Sequence, residues 1–119
     1  IEVESKLPVG DARRLDEGQR LMSHCPDNIP LVACDPRGRD TSSEAMAKLL
    51  ARWRDTGMAS ACFAIGGADG HSQELLERAE GRIAFGSATW PHMLFRAMLA
   101  EQLYRATMIL AGHPYHRGN

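Results

Sequence analysis

Phe85-Gly86-Ser87-Ala88-Thr89-Trp90-Pro91-His92, running on into Met93-Leu94-Phe95-Arg96, is the stretch around which the chain is organised. Four small residues stand between two aromatics. Small side chains let backbone groups come close to a ligand, and Ser87 and Thr89 add hydroxyls. Pro91 suits the first turn of a helix, where a missing N–H leaves nothing unpaired. From 92 to 111 apolar residues such as Met93, Phe95, Leu99, Leu103, Tyr104, Met108 and Leu110 point in nearly every direction around the axis. That spacing predicts a helix buried all round, between its own sheet and a partner. Glu101 and Arg105, four apart, can pair, and with Arg96 they interrupt the run too often for a membrane span. Gly112, with Pro114 behind it, ends the helix.

Working back toward the start, residues 82–85 give a strand that feeds this loop. A short helix is expected from 72 to about 79. Before it, the apolar run 59–65 predicts a buried strand leading into Gly66-Gly67-Ala68-Asp69-Gly70. Those glycines match neither the dinucleotide fingerprint nor a Walker loop, so a tight turn is the default reading. The run Ile29-Pro30-Leu31-Val32-Ala33-Cys34 predicts another strand buried on both faces, ending in a turn over residues 35–39. Between these strands Met46, Leu49, Leu50 and Trp53 recur at helical spacing after Ser42 and Ser43, and Asp55-Thr56-Gly57 closes that helix. Asp11 opens a helix to about His24, with Leu15, Leu21 and Met22 inward and Arg13, Arg14 and Arg20 outward. Ile1-Glu2-Val3-Glu4-Ser5 alternates like a half-exposed strand.

Strands and helices therefore alternate, and the fold class is α/β, a mainly parallel sheet covered by helices. Three loops gather at the C-terminal edge of the sheet: 35–39, 66–70 and 85–90. In open parallel sheets ligands bind at that edge.

Composition narrows the function classes. A chain of 119 residues is one domain and buries about 65% of its unfolded surface. No apolar run is long enough for a membrane helix or signal peptide, which predicts a cytoplasmic protein. Cys25, Cys34 and Cys62 are widely spaced, with no Cys-x-x-Cys, and predict free buried thiols with no metal site. The net charge of −1 argues against a general binder of naked nucleic acid. Twelve of the fourteen cations are Arg, a bias compatible with RNA because guanidinium pairs with phosphate and stacks on bases.

Pro91-His92, Arg96, Ala100-Glu101, Leu103-Tyr104-Arg105-Ala106 and His113-Pro114-Tyr115-His116-Arg117 occur in order and without a gap. With these motifs the chain resembles the SPOUT-class methyltransferases over essentially its whole length. The family pattern is longer at the front, by a strand and a helix. The resemblance implies a C-terminal deep trefoil knot, S-adenosyl-L-methionine as cofactor and a homodimer in which each tail completes the partner's acceptor site. Within the class it implies methylation of N3 of a pseudouridine in large-subunit ribosomal RNA, on the assembled ribosome. Other readings are a SPOUT enzyme with another RNA acceptor, or a non-enzymatic ribosome-associated factor.

Carried over residue by residue, the resemblance places the cofactor against Cys34, Gly66, Phe85, Gly86, Ser87, Ala88, Thr89 and Trp90. An imide nitrogen must lose its proton before it accepts a methyl group, so a base or an anion-stabilising group is required. Asp69, His116 and Arg117 are the candidates, with Arg105, His113 and Tyr115 for the RNA. Plainer roles stand beside these. Asp69 could cap the helix that follows it, Arg105 could serve only Glu101, and His24 and His71 are expected at the surface.

Overall fold

The computed structural model describes residues 10–66, 70–86, 88 and 90–112. The strand expected over residues 1–5 lies outside them. The described elements run α1 (Asp11–Ser23), β1 (Leu31–Asp40), α2 (Ser43–Asp55), β2 (Cys62–Ile65), α3 (Gln73–Arg78), β3 (Gly81–Ala84) and α4 (His92–Leu110). The strands form a parallel sheet in the order β2-β1-β3, with Leu31 opposite Cys62 and Val32 opposite Gly81.

The run at β1 is apolar without interruption because both faces of the sheet are covered. Successive side chains of a strand point to opposite faces. Leu31 and Ala33 join Cys25, Ala64, Leu75 and Leu76 on the side of α1 and α3. Val32 and Cys34 join Met46, Ala47, Trp53, Ile83, Leu99 and Ala106 on the side of α2 and α4. A helix pair thus lies on each face, α1 with α3 and α2 with α4. Trp53 adds an edge contact to Phe63, and its indole N–H donates to Glu80 Oε1 at 2.9 Å.

Local chemistry sets the helix ends. Ser42 and Ser72 cap α2 and α3, their hydroxyls accepting from the N–H of Ala45 and Leu75. Asp69, which could have capped α3, lies outside the described residues. Gly57, at φ +80°, closes α2: its N–H donates to Arg54 O while Met58 N–H reaches Trp53 O, a Schellman arrangement. Pro91 is the N-cap of α4 and sits just before the first turn, where the sequence had suggested it would lie within it. Gly10 takes the cap position of α1 that had been expected of Asp11.

Two expectations change more. β1 starts two residues later than expected and continues through 35–39, where a turn was expected. Both Cys34 and Arg39 pair with Ile83, so the intervening residues are looped out as a bulge and the strand then resumes its pairing with β3. Asp35 holds the bulge by accepting from the Arg37 backbone N–H at 2.9 Å. Leu15 is exposed, not inward, and Glu17 and Gly18 turn inward instead, with Gly18 seated against the Ser72 side chain. In the single chain, α4 is covered on the side of the sheet and bare on the side expected to meet a partner. Leu99 and Ala106 are buried, but Met93, Leu94 and Tyr104 are exposed, Met93 by 64%.

Candidate functional site

The C-terminal ends of the three strands open onto one cavity of about 380 Å³, a size suited to a small molecule. β1 contributes its bulge, and β2 and β3 the loops that follow them. β1 brings Cys34, Asp35, Pro36 and Arg37; β2 brings Ile65, Gly66, Gly70 and His71; β3 brings Ala84, Phe85, Gly86, Ala88 and Trp90. Phe95 and His92 of α4 and Arg14 of α1 complete the lining.

The third loop is tied down at several points. Gly86, at φ +82°, uses a conformation that side chains resist, and its N–H donates to Asp40 Oδ1 at 2.8 Å. The Trp90 indole N–H donates to Phe85 O at 2.9 Å, closing the loop across five residues. Phe85 stacks on Phe95 with centroids 5.0 Å apart, fixing an aromatic wall between the loop and α4.

The β1 bulge supplies charge. Asp35 is buried, with side-chain exposure of 3%, and Arg37 holds it from the rim through Nε at 3.3 Å and Nη2 at 3.1 Å. Burial alone would raise the Asp35 pKa; the hydrogen bonds and charge of Arg37 outweigh it and hold the carboxyl below its usual range. Beside it, burial pushes the Cys34 thiol up to about 12, so Cys34 is a neutral, apolar wall and not a nucleophile at neutral pH.

The middle loop turns at Gly66. A Cβ there would lie 3.2 Å from Gly70 C and 3.3 Å from the His71 ring, so the position has room only for glycine unless its neighbours give way. His71, expected at the surface, is buried instead. Its Nε2 lies 3.1 Å from Cys34 O and 3.0 Å from Ala64 O. Two carbonyl acceptors require a hydrogen on Nε2. Burial lowers the pKa of His71 more than these bonds and the nearby Asp35 raise it, so the ring is the neutral Nε2–H tautomer.

The cavity brings together Cys34, Gly66, Phe85, Gly86, Ala88 and Trp90 of the expected cofactor set. Arg105 is elsewhere: it lies on α4 ten residues beyond Phe95, about 15 Å along the axis, and Glu101 accepts from its Nε at 2.9 Å. Ser87, Thr89, Asp69, His113, Tyr115, His116 and Arg117 lie outside the described residues. The sequence placed Asp35 and Arg37 at the ligand-binding edge only as part of the 35–39 segment, and did not point to Arg14, His71, His92 or Phe95 as lining residues. Only the Asp-x-Arg spacing at 35 and 37 carried a local signal, since Asp commonly binds the backbone two residues on. Among the described residues no group of three or more His, Cys, Asp or Glu is placed to hold a metal ion. Nor is any described helix long and apolar enough to cross a membrane.

The family described as "Predicted SPOUT methyltransferase" matches residues 3–116. The chain is similar to the ribosomal RNA large subunit methyltransferase H of Nitrobacter winogradskyi, 51% identical over 117 residues, 92% of this chain and 73% of the relative. The protein of the same name from Bradyrhizobium diazoefficiens is 52% identical over 114 residues, 96% of this chain and 71% of the relative. That from Paramagnetospirillum magneticum is 50% identical over 117 residues, 98% of this chain and 77% of the relative.

Proposed function

This chain belongs to the SPOUT methyltransferase family, and on that premise we propose that it transfers a methyl group from S-adenosylmethionine to N3 of a pseudouridine in large-subunit ribosomal RNA. The RNA is the one in its relatives' name. The pseudouridine and its N3 follow from the motif resemblance, above all the His113-Pro114-Tyr115-His116-Arg117 tail.

The observation that carries the reading is the single cavity into which all three strand-end loops converge. Its residues fit the cofactor. The Phe85–Phe95 stack, Ile65 and the neutral Cys34 thiol offer apolar walls to a flat heterocycle, and Gly66 leaves the backbone open to close approach. Arg14, Arg37 and Asp35 bring both signs of charge to the lining, as a zwitterionic amino-acid end requires. Bound there, S-adenosylmethionine supplies an electrophilic methyl group. The protein's part is orientation, which suffices for much of the acceleration when the acceptor is held in line. Removal of the N3 proton, or stabilisation of the anion, falls to Asp69, His116 and Arg117, and contact with the RNA to Arg105, His113 and Tyr115.

The family habit adds a deep trefoil knot around α4 and a homodimer in the cytoplasm. The exposed Met93, Leu94 and Tyr104 favour the dimer, since a helix apolar on its outer face gains by being covered. In that dimer the tail of each protomer completes the partner's acceptor site.

The test is transfer of label from S-adenosylmethionine to ribosomes that lack the modification, followed by nucleoside mapping of the RNA. Label on N3 of a large-subunit pseudouridine is expected. Deletion of residues 115–119 should abolish transfer while cofactor binding persists. Cofactor binding without label would point to another acceptor, and absence of cofactor binding would leave a non-enzymatic ribosome-associated factor.

A further inference from the structure

The ends of β1 and β2 part company at the cavity. β1 leaves its regular pairing after Cys34 to form the bulge, and β2 stops at Ile65 and turns at Gly66. At that divergence the carbonyls of Cys34 and Ala64 accept from the same atom, His71 Nε2. The ring also occupies the space beside Gly66, where a Cβ would meet it at 3.3 Å. His71 is itself well anchored. It precedes Ser72, which caps α3, is buried, and touches Gly18 of α1.

We propose that His71 is a positioning residue for S-adenosylmethionine: its Nε2–H ties the carbonyl of Cys34 to that of Ala64, and so sets the gap between β1 and β2 at which the Gly66 turn receives the cofactor. This rests on the reading that the cavity takes S-adenosylmethionine. An apolar side chain of similar size would fill the space. It would also leave two buried carbonyls short of a donor, and these regain one only by spreading apart to admit water. Spreading moves Cys34 away from Gly66, and both line the cavity. A site held loosely by its support binds less tightly even when every contacting group is present.

The experiment compares wild type, His71→Gln and His71→Leu by calorimetric titration with S-adenosylmethionine and by steady-state methyl transfer. The amide of Gln places a donor near the position of Nε2; Leu fills the space and donates nothing. His71→Gln should bind the cofactor within about threefold of wild type, and His71→Leu at least about tenfold more weakly. The loss in His71→Leu should appear in KM for the cofactor, with kcat at saturation kept within about twofold. A residue that served stability alone would lower the melting temperature and leave that KM in place. Unchanged cofactor affinity in His71→Leu, or equal weakening in His71→Gln and His71→Leu, would overturn the proposal. Should His71→Leu fail to fold, His71→Asn, whose amide stops short of Nε2, takes its place with the same expected weakening. A wild-type chain that binds no S-adenosylmethionine would instead overturn the cofactor reading, and this proposal with it.

Discussion

Gly38→Ala adds one methyl group where the β1 bulge lies on the backbone of β3. The new Cβ would sit 2.8 Å from Arg82 C and 2.9 Å from Ile83 N, against a comfortable carbon separation of about 3.5–4.0 Å. Both neighbours are backbone atoms of a paired strand, so the strain cannot be relieved by a side-chain rotation. Overpacking of this kind costs about 1–3 kcal/mol. Replacing glycine also removes freedom from the unfolded chain, which returns about 0.4–1 kcal/mol. The net expectation is a loss of about 1–2 kcal/mol, which at a urea dependence of about 1–3 kcal/mol per molar lowers the unfolding midpoint by roughly 0.3–2 M. Gly81→Ala is the control: it lies on β3, opposite Val32, with nothing within 4 Å of a Cβ. It should be neutral or slightly stabilising. The bulge also carries Asp35 and Arg37 to the cavity, so Gly38→Ala should weaken S-adenosylmethionine binding while Gly81→Ala does not. Equal midpoints for the two variants would refute the tight packing of the bulge on β3.

Acid should destabilise the protein in two steps. The folded pKa of His71 lies below its unfolded value of about 6.5, so its contribution is complete above that pH and is lost as pH falls through the folded pKa. Asp35, also lowered, adds its loss below its ordinary value of 3.8. Melting curves between pH 8 and 5 should slope downward for wild type and flatten for His71→Gln; parallel slopes would exclude His71 as the source. Ser42→Ala removes the cap on Ala45 N–H and should cost about 1 kcal/mol in a denaturant titration, with methyl transfer unchanged. Met93→Asp places a charge on the exposed face of α4. By sedimentation it should give a monomer that still binds S-adenosylmethionine yet transfers no methyl group, and a dimer with full activity would remove that face from the interface.

What the sequence made legible was whatever depends on burial pattern. Leu31-Val32-Ala33-Cys34 announced a strand covered on both faces, and its alternate residues do enter two separate clusters. Glycine- and proline-bearing loops after each strand located the cavity, because parallel strands bring their C-terminal ends to one edge. The remainder was set by distant partners. Asp35-Pro36-Arg37-Gly38 has the composition of a turn, and only the resumed pairing with Ile83 and Ala84 makes it a bulge. His71 gives no local sign of burial; the carbonyls that hold it come from β1 and β2. In α1 the rotation that exposes Leu15 and brings Arg14 to the cavity is set by Gly18 against Ser72. A glycine inside a helix was the available clue, since its usual reason is close approach.

The order of the strands also has a consequence during synthesis. β1 lies between its described neighbours in space but precedes both in the chain. As the polypeptide leaves the ribosome, Leu31-Val32-Ala33-Cys34 emerges before either of its described neighbours: Cys62–Ile65 is made later, and Gly81–Ala84 later still. Translation at about 5–20 residues per second makes that an interval of seconds, far longer than chain collapse takes. The nascent chain therefore carries this apolar strand without either described neighbour through that interval, and a chaperone at the exit tunnel that favours short apolar segments should engage it there and release it once β3 has docked.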